Sequence, residues 1–166
     1  MPFPNEVKRE QAVGTEGQRA TNNPFSSVPS GKAAFVAGDT GLTVGRFAWL
    51  DPADPDNRKV INSTAVATEV PLGFIARDGH PAQISTYLAE SSLNIPTGFE
   101  VTVSAKGDYL MKVGVNPATI GQKVYANISD GTMQPADAGQ SIPNYVETPY
   151  SISIGAAVDE LATISL

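Results

Sequence analysis

The chain has 166 residues, an apolar fraction of 41% and no cysteine, so it can bury a sizeable core but cannot form disulfides or thiolate metal sites. Its net charge is −6 and its 11 basic residues are scattered, which excludes a basic surface that follows a nucleic-acid backbone. Because no apolar run reaches about 18 residues and no signal-like segment opens the chain, we expect neither a membrane anchor nor a secretory signal.

The first 30 residues differ from the rest of the chain. They contain four prolines, nearly balanced charges and few aliphatic residues, and this composition gives no core-facing pattern. We therefore predict an extended N-terminal arm over residues 1–30 and a β domain over residues 31–166. Because the arm has too little apolar surface to repay its own ordering, we expect residues 1–25 to contact mainly another chain.

From residue 31 onward, short apolar segments alternate with turns rich in Gly, Pro, Asp and Asn. This pattern predicts an all-β fold, a compact jelly-roll-like β-barrel or β-sandwich, with one helical turn at most, around residues 86–92. The segment Lys106-Gly107-Asp108 has the composition of a hairpin turn between two strands. The predicted strands cover residues 33–37, 44–50, 72–76, 99–105, 109–113, 123–127, 150–158 and 161–166.

Two short blocks recur in the same order in the second half of the chain. Val44-Gly45-Arg46-Phe47-Ala48-Trp49 and Leu72-Gly73-Phe74-Ile75-Ala76 are echoed by Ile120-Gly121-Gln122-Lys123-Val124-Tyr125 and Ile154-Gly155-Ala156-Ala157-Val158. A glycine followed by an apolar run is typical of a strand that begins at a tight bend and enters a β core. Either the two halves share one arrangement, with Trp49 and Tyr125 in equivalent positions, or they are unrelated strands. The residues expected in the core are Phe47, Trp49, Phe74, Val101, Val103 and Ile154.

The sequence offers no set of residues that would support catalysis. His80 is the single histidine, and Asp78, two residues away in the same turn-rich segment, does not supply the nucleophile and orienting acid that a general base needs. We therefore predict that His80 is an exposed loop residue. No enzyme activity, catalytic residue or cofactor-binding residue is predicted.

An acidic loop contains Asp51, Asp54 and Asp56 together with two prolines. Its oxygen density is what Ca²⁺ requires, but it lacks the glycine and the distal glutamate of an EF-hand loop. We interpret it as a solvent-exposed turn region, and binding of a cation by the three aspartates is the open alternative. No metal site is predicted.

The polar arm, the block from Val44 to Trp49 with Gly73-Phe74-Ile75-Ala76-Arg77, and the closing residues 120–126 and 150–166 together resemble the structural cement, or head decoration, proteins of tailed bacteriophages. The resemblance spans about residues 25–166. It implies a non-enzymatic virion protein, made in the host bacterial cytoplasm, that binds the outer surface of the phage head. Its implied partners are the major capsid protein, whose adjacent subunits it would clamp, and itself, as a homodimer or homotrimer.

A second interpretation is a receptor- or glycan-binding β module of a phage tail or fibre. Such a module would need an exposed aromatic cluster at a loop end, for which Tyr87, Tyr145 and Tyr150 are the candidates. Trp49 lies in an apolar strand and is expected in the core.

Charged residues make up only 17% of the chain, a low share that favours a protein packed against neighbours.

Overall fold

The computed structural model describes residues 14–31, 33–77 and 93–166, and every structural statement below concerns these residues. The fold is all-β, as the sequence predicts, and the helical turn expected at residues 86–92 lies outside the described residues. The strands are β1 (Ser26–Ser27), β2 (Phe35–Ala37), β3 (Leu42–Thr43), β4 (Phe47–Leu50), β5 (Lys59–Ile61), β6 (Gly73–Phe74), β7 (Asn94–Ile95), β8 (Glu100–Val101), β9 (Ser104–Lys106), β10 (Asp108–Lys112), β11 (Lys123–Asn127), β12 (Met133–Ala136), β13 (Tyr145–Ile154) and β14 (Leu161–Ser165).

The first sheet closes into a small barrel. Its strand order is β1-β9-β6-β4-β5-β2-β8, and β8 and β9 are consecutive parts of residues 100–106. Strand β8 pairs with β2 and β9 pairs with β6, so this one stretch of chain joins the two ends of the sheet and closes it. Strand β1 from the arm pairs with β9 outside the closed ring. The barrel core consists of Phe35, Ala37, Leu42, Val44, Ala48, Val60, Ile75, Ile95, Val101 and Val103.

The second sheet has five antiparallel strands in the order β10-β14-β13-β11-β12. It curls so far that Val113, just after β10, forms a bridge with Met133 of β12. Its concave face covers a second core that includes Tyr109, Tyr150 and Ile152. The two sheets therefore enclose two adjacent cores.

Strands β4 and β6 contribute to both cores. Phe47 and Trp49 of β4 pack into the second core, whereas Ala48 between them faces the barrel interior. Phe74 in β6 and Ile75 beside it divide between the two cores in the same way. Because neighbouring side chains of a strand point to opposite faces, a strand buried on both faces is apolar at every position. This explains the continuous apolar runs at residues 47–50 and 73–76.

Most of the predicted core residues are buried: Phe47, Trp49, Phe74, Val101 and Val103. The prediction for Ile154 is wrong, because its side chain is 60% exposed. The pairing of β13 with β14 shifts register between Ile152 and Ile154, and β13 ends there. The inward alternation of β13 consequently stops at Ile152.

The hairpin predicted around Gly107 is also wrong. Strand β9 pairs with β1 and β6, whereas β10 pairs with β14 in the other sheet. Gly107, with φ of 141°, lies at the corner where the chain passes from the barrel to the second sheet. A glycine-containing turn looks the same in sequence whether the following strand folds back or changes sheets. The strands that the sequence missed have only two to four residues each: β1, β3, β5, β7 and β12.

The two repeated blocks share a local arrangement. Gly45 and Gly121 both have positive φ, of 81° and 90°, just before β4 and β11. The Gly45 N–H donates to the Ile75 carbonyl at 2.8 Å, and the Gly121 N–H donates to the Ile152 carbonyl at 2.9 Å. The Ile75 N–H donates in return to the Arg46 carbonyl at 2.9 Å, and the Ile152 N–H donates to the Gln122 carbonyl at 2.8 Å. The blocks that begin at Val44 and Ile120 therefore match in structure. The sequence match around Gly155 implied that Ala157 corresponds to Ile75, but the residue in that place is Ile152.

Two buried tyrosines differ in how their hydroxyl groups are bonded. The Tyr125 hydroxyl lies 2.8 Å from Glu147 Oε2 and 2.9 Å from the Asp137 carbonyl, and it accepts the Gln140 N–H at 2.9 Å. The Tyr150 hydroxyl is buried in the second core and has no hydrogen-bond partner among the described residues. Burial, together with nearby Tyr109 and Asp108, raises the pKa of Tyr150 well above its usual value.

Removing these two hydroxyls is expected to have opposite effects. Tyr125→Phe should lower the free energy of unfolding by about 1–2 kcal/mol, because it leaves the groups around the hydroxyl without their bonds. Tyr150→Phe should leave it unchanged or raise it by up to about 1 kcal/mol, because an unsatisfied buried hydroxyl is lost. Chemical unfolding of both variants beside the parent chain measures the difference. Equal destabilisation by the two changes would contradict the prediction.

Candidate functional site

The described part of the N-terminal arm lies along its own domain. The Gly17 N–H donates to the Leu110 carbonyl at 2.8 Å, and the Leu110 N–H donates to the Gln18 carbonyl at 2.8 Å. The Ala20 N–H donates to the Asp108 carbonyl at 2.9 Å. This segment therefore extends the second sheet at the edge of β10. Residues 1–25 are expected to contact mainly another chain; residues 17–23 bond to their own domain as well, and residues 1–13 lie outside the described residues.

Further along, the arm pairs with the barrel. Ser27 lies opposite Ser104 in the pairing of β1 with β9, and the Val28 N–H donates to the Val103 carbonyl at 2.8 Å. Because β9 and β10 are joined at Gly107, the arm follows the chain across this corner from one sheet to the other. Residues 17–28 thus connect the edges of both sheets by backbone hydrogen bonds.

Polar side chains of the arm meet at Asp108. The Thr21 hydroxyl and the Asn23 amide each donate to Asp108 Oδ2 at 2.6 Å. Burial acts to raise the pKa of Asp108, but the hydrogen bonds from Thr21, Ser165 and Asn23 outweigh it and lower the pKa. The carboxylate is therefore held in the charged form that accepts these bonds.

Glu16 is the acidic residue in the described part of the arm. It lines a cavity of about 200 Å³ with Arg46, Lys112 and Asp159, and a Cβ atom at Gly45 would collide with its side chain. Burial raises the pKa of Glu16 above its usual 4.5, and Arg46 and Lys112 offset only part of this rise. The charged form of Glu16 is consequently less favourable in the docked arm than in a free one.

Docking of residues 14–20 is expected to strengthen as the pH falls. A raised pKa in the docked state means that docking is most stable below pH 4.5 and weakens as the pH rises through the docked-state pKa. Protection of the Gly17 and Ala20 amides against hydrogen exchange should therefore increase from neutral to mildly acidic pH. Glu16→Gln should remove this increase, and a variant with the same pH dependence as the parent chain would refute the assignment to Glu16.

Exposed aliphatic side chains gather at one end of the second sheet. Residues 113–121 run antiparallel to residues 152–160, and Ala118 forms a bridge with Ala156 in the middle of this pair. One exposed aliphatic residue lies on each side of Ala118 and of Ala156 in the sequence. We call these four residues the apolar rim: Val115 (61% exposed), Ile120 (76%), Ile154 (60%) and Val158 (38%). Ile120 and Ile154 occupy opposing positions, each two residues from the bridge.

The charges next to the apolar rim are bonded within the chain. Lys112 Nζ lies 2.9 Å from Asp159 Oδ1, and Glu160 Oε2 accepts the Ala157 N–H at 3.0 Å. Lys112 and Asp159 therefore neutralise each other beside the rim, and Glu160 holds the backbone of its own turn. Four exposed aliphatic side chains on one pair of segments offer an apolar surface that another protein could cover.

The acidic loop uses its carboxylates to hold its own backbone. Asp54 Oδ2 accepts the N–H groups of Arg58 and Lys59 at 2.7 Å each, and Asp51 Oδ1 accepts the Ala53 N–H at 2.9 Å. The bonds from Lys59 and Arg58 lower the pKa of Asp54. Among the described residues, no group of three or more acidic, His or Cys side chains could hold a metal ion, and the open cation alternative for Asp51, Asp54 and Asp56 has no support in this arrangement.

Four candidate residues remain, of which His80 and Tyr87 lie outside the described residues. Tyr150 is buried with its ring against Phe47, at 5.7 Å between ring centroids, and Tyr145 is half-buried. In the described parts of the chain these tyrosines form no exposed aromatic cluster, and no helix there is long and apolar enough to cross a membrane.

Comparison with known proteins identifies the family. The sequence model of the XM1 gp53 minor capsid protein family matches residues 5–166. The chain belongs to this minor capsid protein family. The protein is accordingly a capsid-associated structural protein of a virion, and the predicted resemblance to phage head proteins is confirmed. No significant match is found among curated proteins.

Solved structures were also compared with this chain. A chain from the capsid of Myoviridae phage XM1 has a TM-score of 0.67 and 18% identity, over 99% of this chain and 97% of that chain. The head fibre gp8.5 N base of bacteriophage phi29 has a TM-score of 0.47 and 14% identity, over 81% of this chain and 92% of that chain. The first likeness extends over nearly the whole of both chains and shows a shared fold.

Proposed function

We propose that this minor capsid protein is a decoration, or cement, protein that binds the outer surface of a bacteriophage head and clamps adjacent major capsid protein subunits. The observation that carries the proposal is the apolar rim. It places four exposed aliphatic side chains on one sheet end of a protein from a capsid family. Its role would be non-enzymatic, and we assign it no catalytic, cofactor or metal site.

The apolar rim supports a clamp because of what burying it would contribute. Full burial of an aliphatic side chain contributes about 1.5–3 kcal/mol, part of which is spent on the loss of freedom on association. Each copy that binds across a seam adds free energy that must be lost before the shell opens. Many copies of modest affinity are sufficient for a stabilising effect.

The arm and the net charge fit the same role. We propose the division into an arm of residues 1–30 and a β domain of residues 31–166, with residues 1–13 able to reach about 40 Å at about 3.3 Å per residue. Such a length would span a neighbouring subunit, either major capsid protein or another copy in a homodimer or homotrimer. The charge of −6 suits the outer surface, where the protein does not contact the genome.

Heads that lack the protein test this proposal directly. We expect them to assemble but to rupture at a lower temperature than decorated heads, and purified protein added back should restore resistance in a saturable way. The measurement is the temperature at which heads release their DNA, detected by the fluorescence of a DNA-binding dye. Undecorated heads that are as heat-stable as decorated ones would overturn the cement role and favour the receptor-binding interpretation.

A further inference from the structure

We propose that residues 17–28, here called the clip, pair with β9 and β10 of a second copy of this chain, so that neighbouring copies exchange clips. The surface is the joined edge of β9 and β10, and the partner is the same segment of another molecule. The proposal goes beyond head binding, because it specifies how copies of this protein contact one another and in which register.

The clip is held by contacts that any copy can supply. Gly17 bonds through both its N–H and its carbonyl, to the Leu110 carbonyl at 2.8 Å and to the Arg77 N–H at 2.7 Å. At the other end of the clip, the Val28 N–H donates to the Val103 carbonyl at 2.8 Å. Backbone pairing of this kind depends on an available edge and not on which chain the added segment comes from.

Release of the clip would leave the two cores largely intact. The side chains of residues 18–27 are exposed except for Ala20, which is half-buried. Only Val28 packs against the barrel core, and it does so from a partly buried position. The clip can therefore leave without opening a large cavity, and it would expose unpaired strand edges that favour capture of another segment.

The segment after the clip allows a change of direction. Pro29, Ser30 and Gly31 are all exposed, and a Cβ atom at Gly31 would meet no heavy atom within 4 Å. A freely placed connection of this kind is what domain exchange requires. Because exchanged and unexchanged molecules have the same contacts, local concentration decides between them, and copies held side by side raise it to about the millimolar range.

Cysteine pairing tests the exchange in solution, without heads, so that its failure leaves the proposed capsid role untouched. The chain has no cysteine of its own, and Ser27 lies opposite Ser104. Chains with Ser27→Cys and chains with Ser104→Cys are unfolded, mixed, refolded together at high concentration and mildly oxidised. Because Ser104 is only 2% exposed, its thiol is accessible mainly to the residue paired with it.

We expect a disulfide-linked mixed dimer on a non-reducing gel, several-fold above the amount from a matched mixture of Ser27→Cys and Ser141→Cys, where Ser141 is exposed and is not a partner of Ser27. Deleting Ser30 and Gly31 should raise the dimer fraction, because a shorter connection hinders the clip from folding back on its own chain. If Ser104→Cys disturbs folding, the pair Ser26→Cys with Lys106→Cys samples the same two strands at an exposed position. Monomers alone in both pairings would overturn the proposal.

Discussion

Replacing Trp49 with alanine is expected to lower the free energy of unfolding of the protein by about 3–5 kcal/mol. The indole is buried to 1% exposure in the core between the two sheets, and its Nε1–H donates to the Glu69 carbonyl at 2.8 Å. The change would leave a cavity and a carbonyl without its donor. Denaturant unfolding followed by circular dichroism measures the loss.

Phe99→Ala is the matched control for this change. Its ring has the same size as those of the buried Phe47 and Phe74 but is 48% exposed, so its removal should cost much less than that of Trp49. If the two variants lost the same stability, the assignment of Trp49 to the second core would be wrong.

Replacing Ile120 and Ile154 together with serine is expected to weaken attachment to heads by at least about 30-fold, which corresponds to about 2 kcal/mol. The two side chains are 76% and 60% exposed and occupy opposing positions in the apolar rim. Because they contribute little to the core, the variant should fold with nearly unchanged stability. Sedimentation of labelled protein with heads that lack it gives the bound fraction.

Val66→Ser with Val70→Ser provides the control for the apolar rim. These two valines are 52% and 57% exposed but belong to a different loop, so the control has the same chemistry away from the rim. It should bind heads like the parent chain. If both double variants lost the same amount of binding, or if neither lost any, the rim would not be the head contact. Because the rim is apolar and the adjacent Lys112 and Asp159 neutralise each other, moderate salt should weaken binding little.

Local sequence patterns determined the fold class and part of the core. The continuous apolar runs at residues 47–50 and 73–76 indicated strands, and their burial on both faces follows from that pattern. Glycine before an apolar run predicted the bends at Gly45 and Gly121, because positive φ favours a residue without a side chain. The order of the same blocks also indicated the phage head family that the comparisons confirm.

Only the tertiary structure decided where each strand found its partner. The sequence around Gly107 is compatible with a hairpin, but β10 pairs with β14 from the end of the chain, about 50 residues away, so the turn became a corner between sheets. Ile154 has the same side chain as the buried Ile152, yet a register shift against β14 leaves it exposed in the apolar rim. The arm lacks an apolar pattern because backbone hydrogen bonds hold residues 17–28, and backbone groups are the same in every residue type except proline. Side-chain patterns report burial along one strand, whereas pairing, register and sheet ends depend on residues far away in the chain.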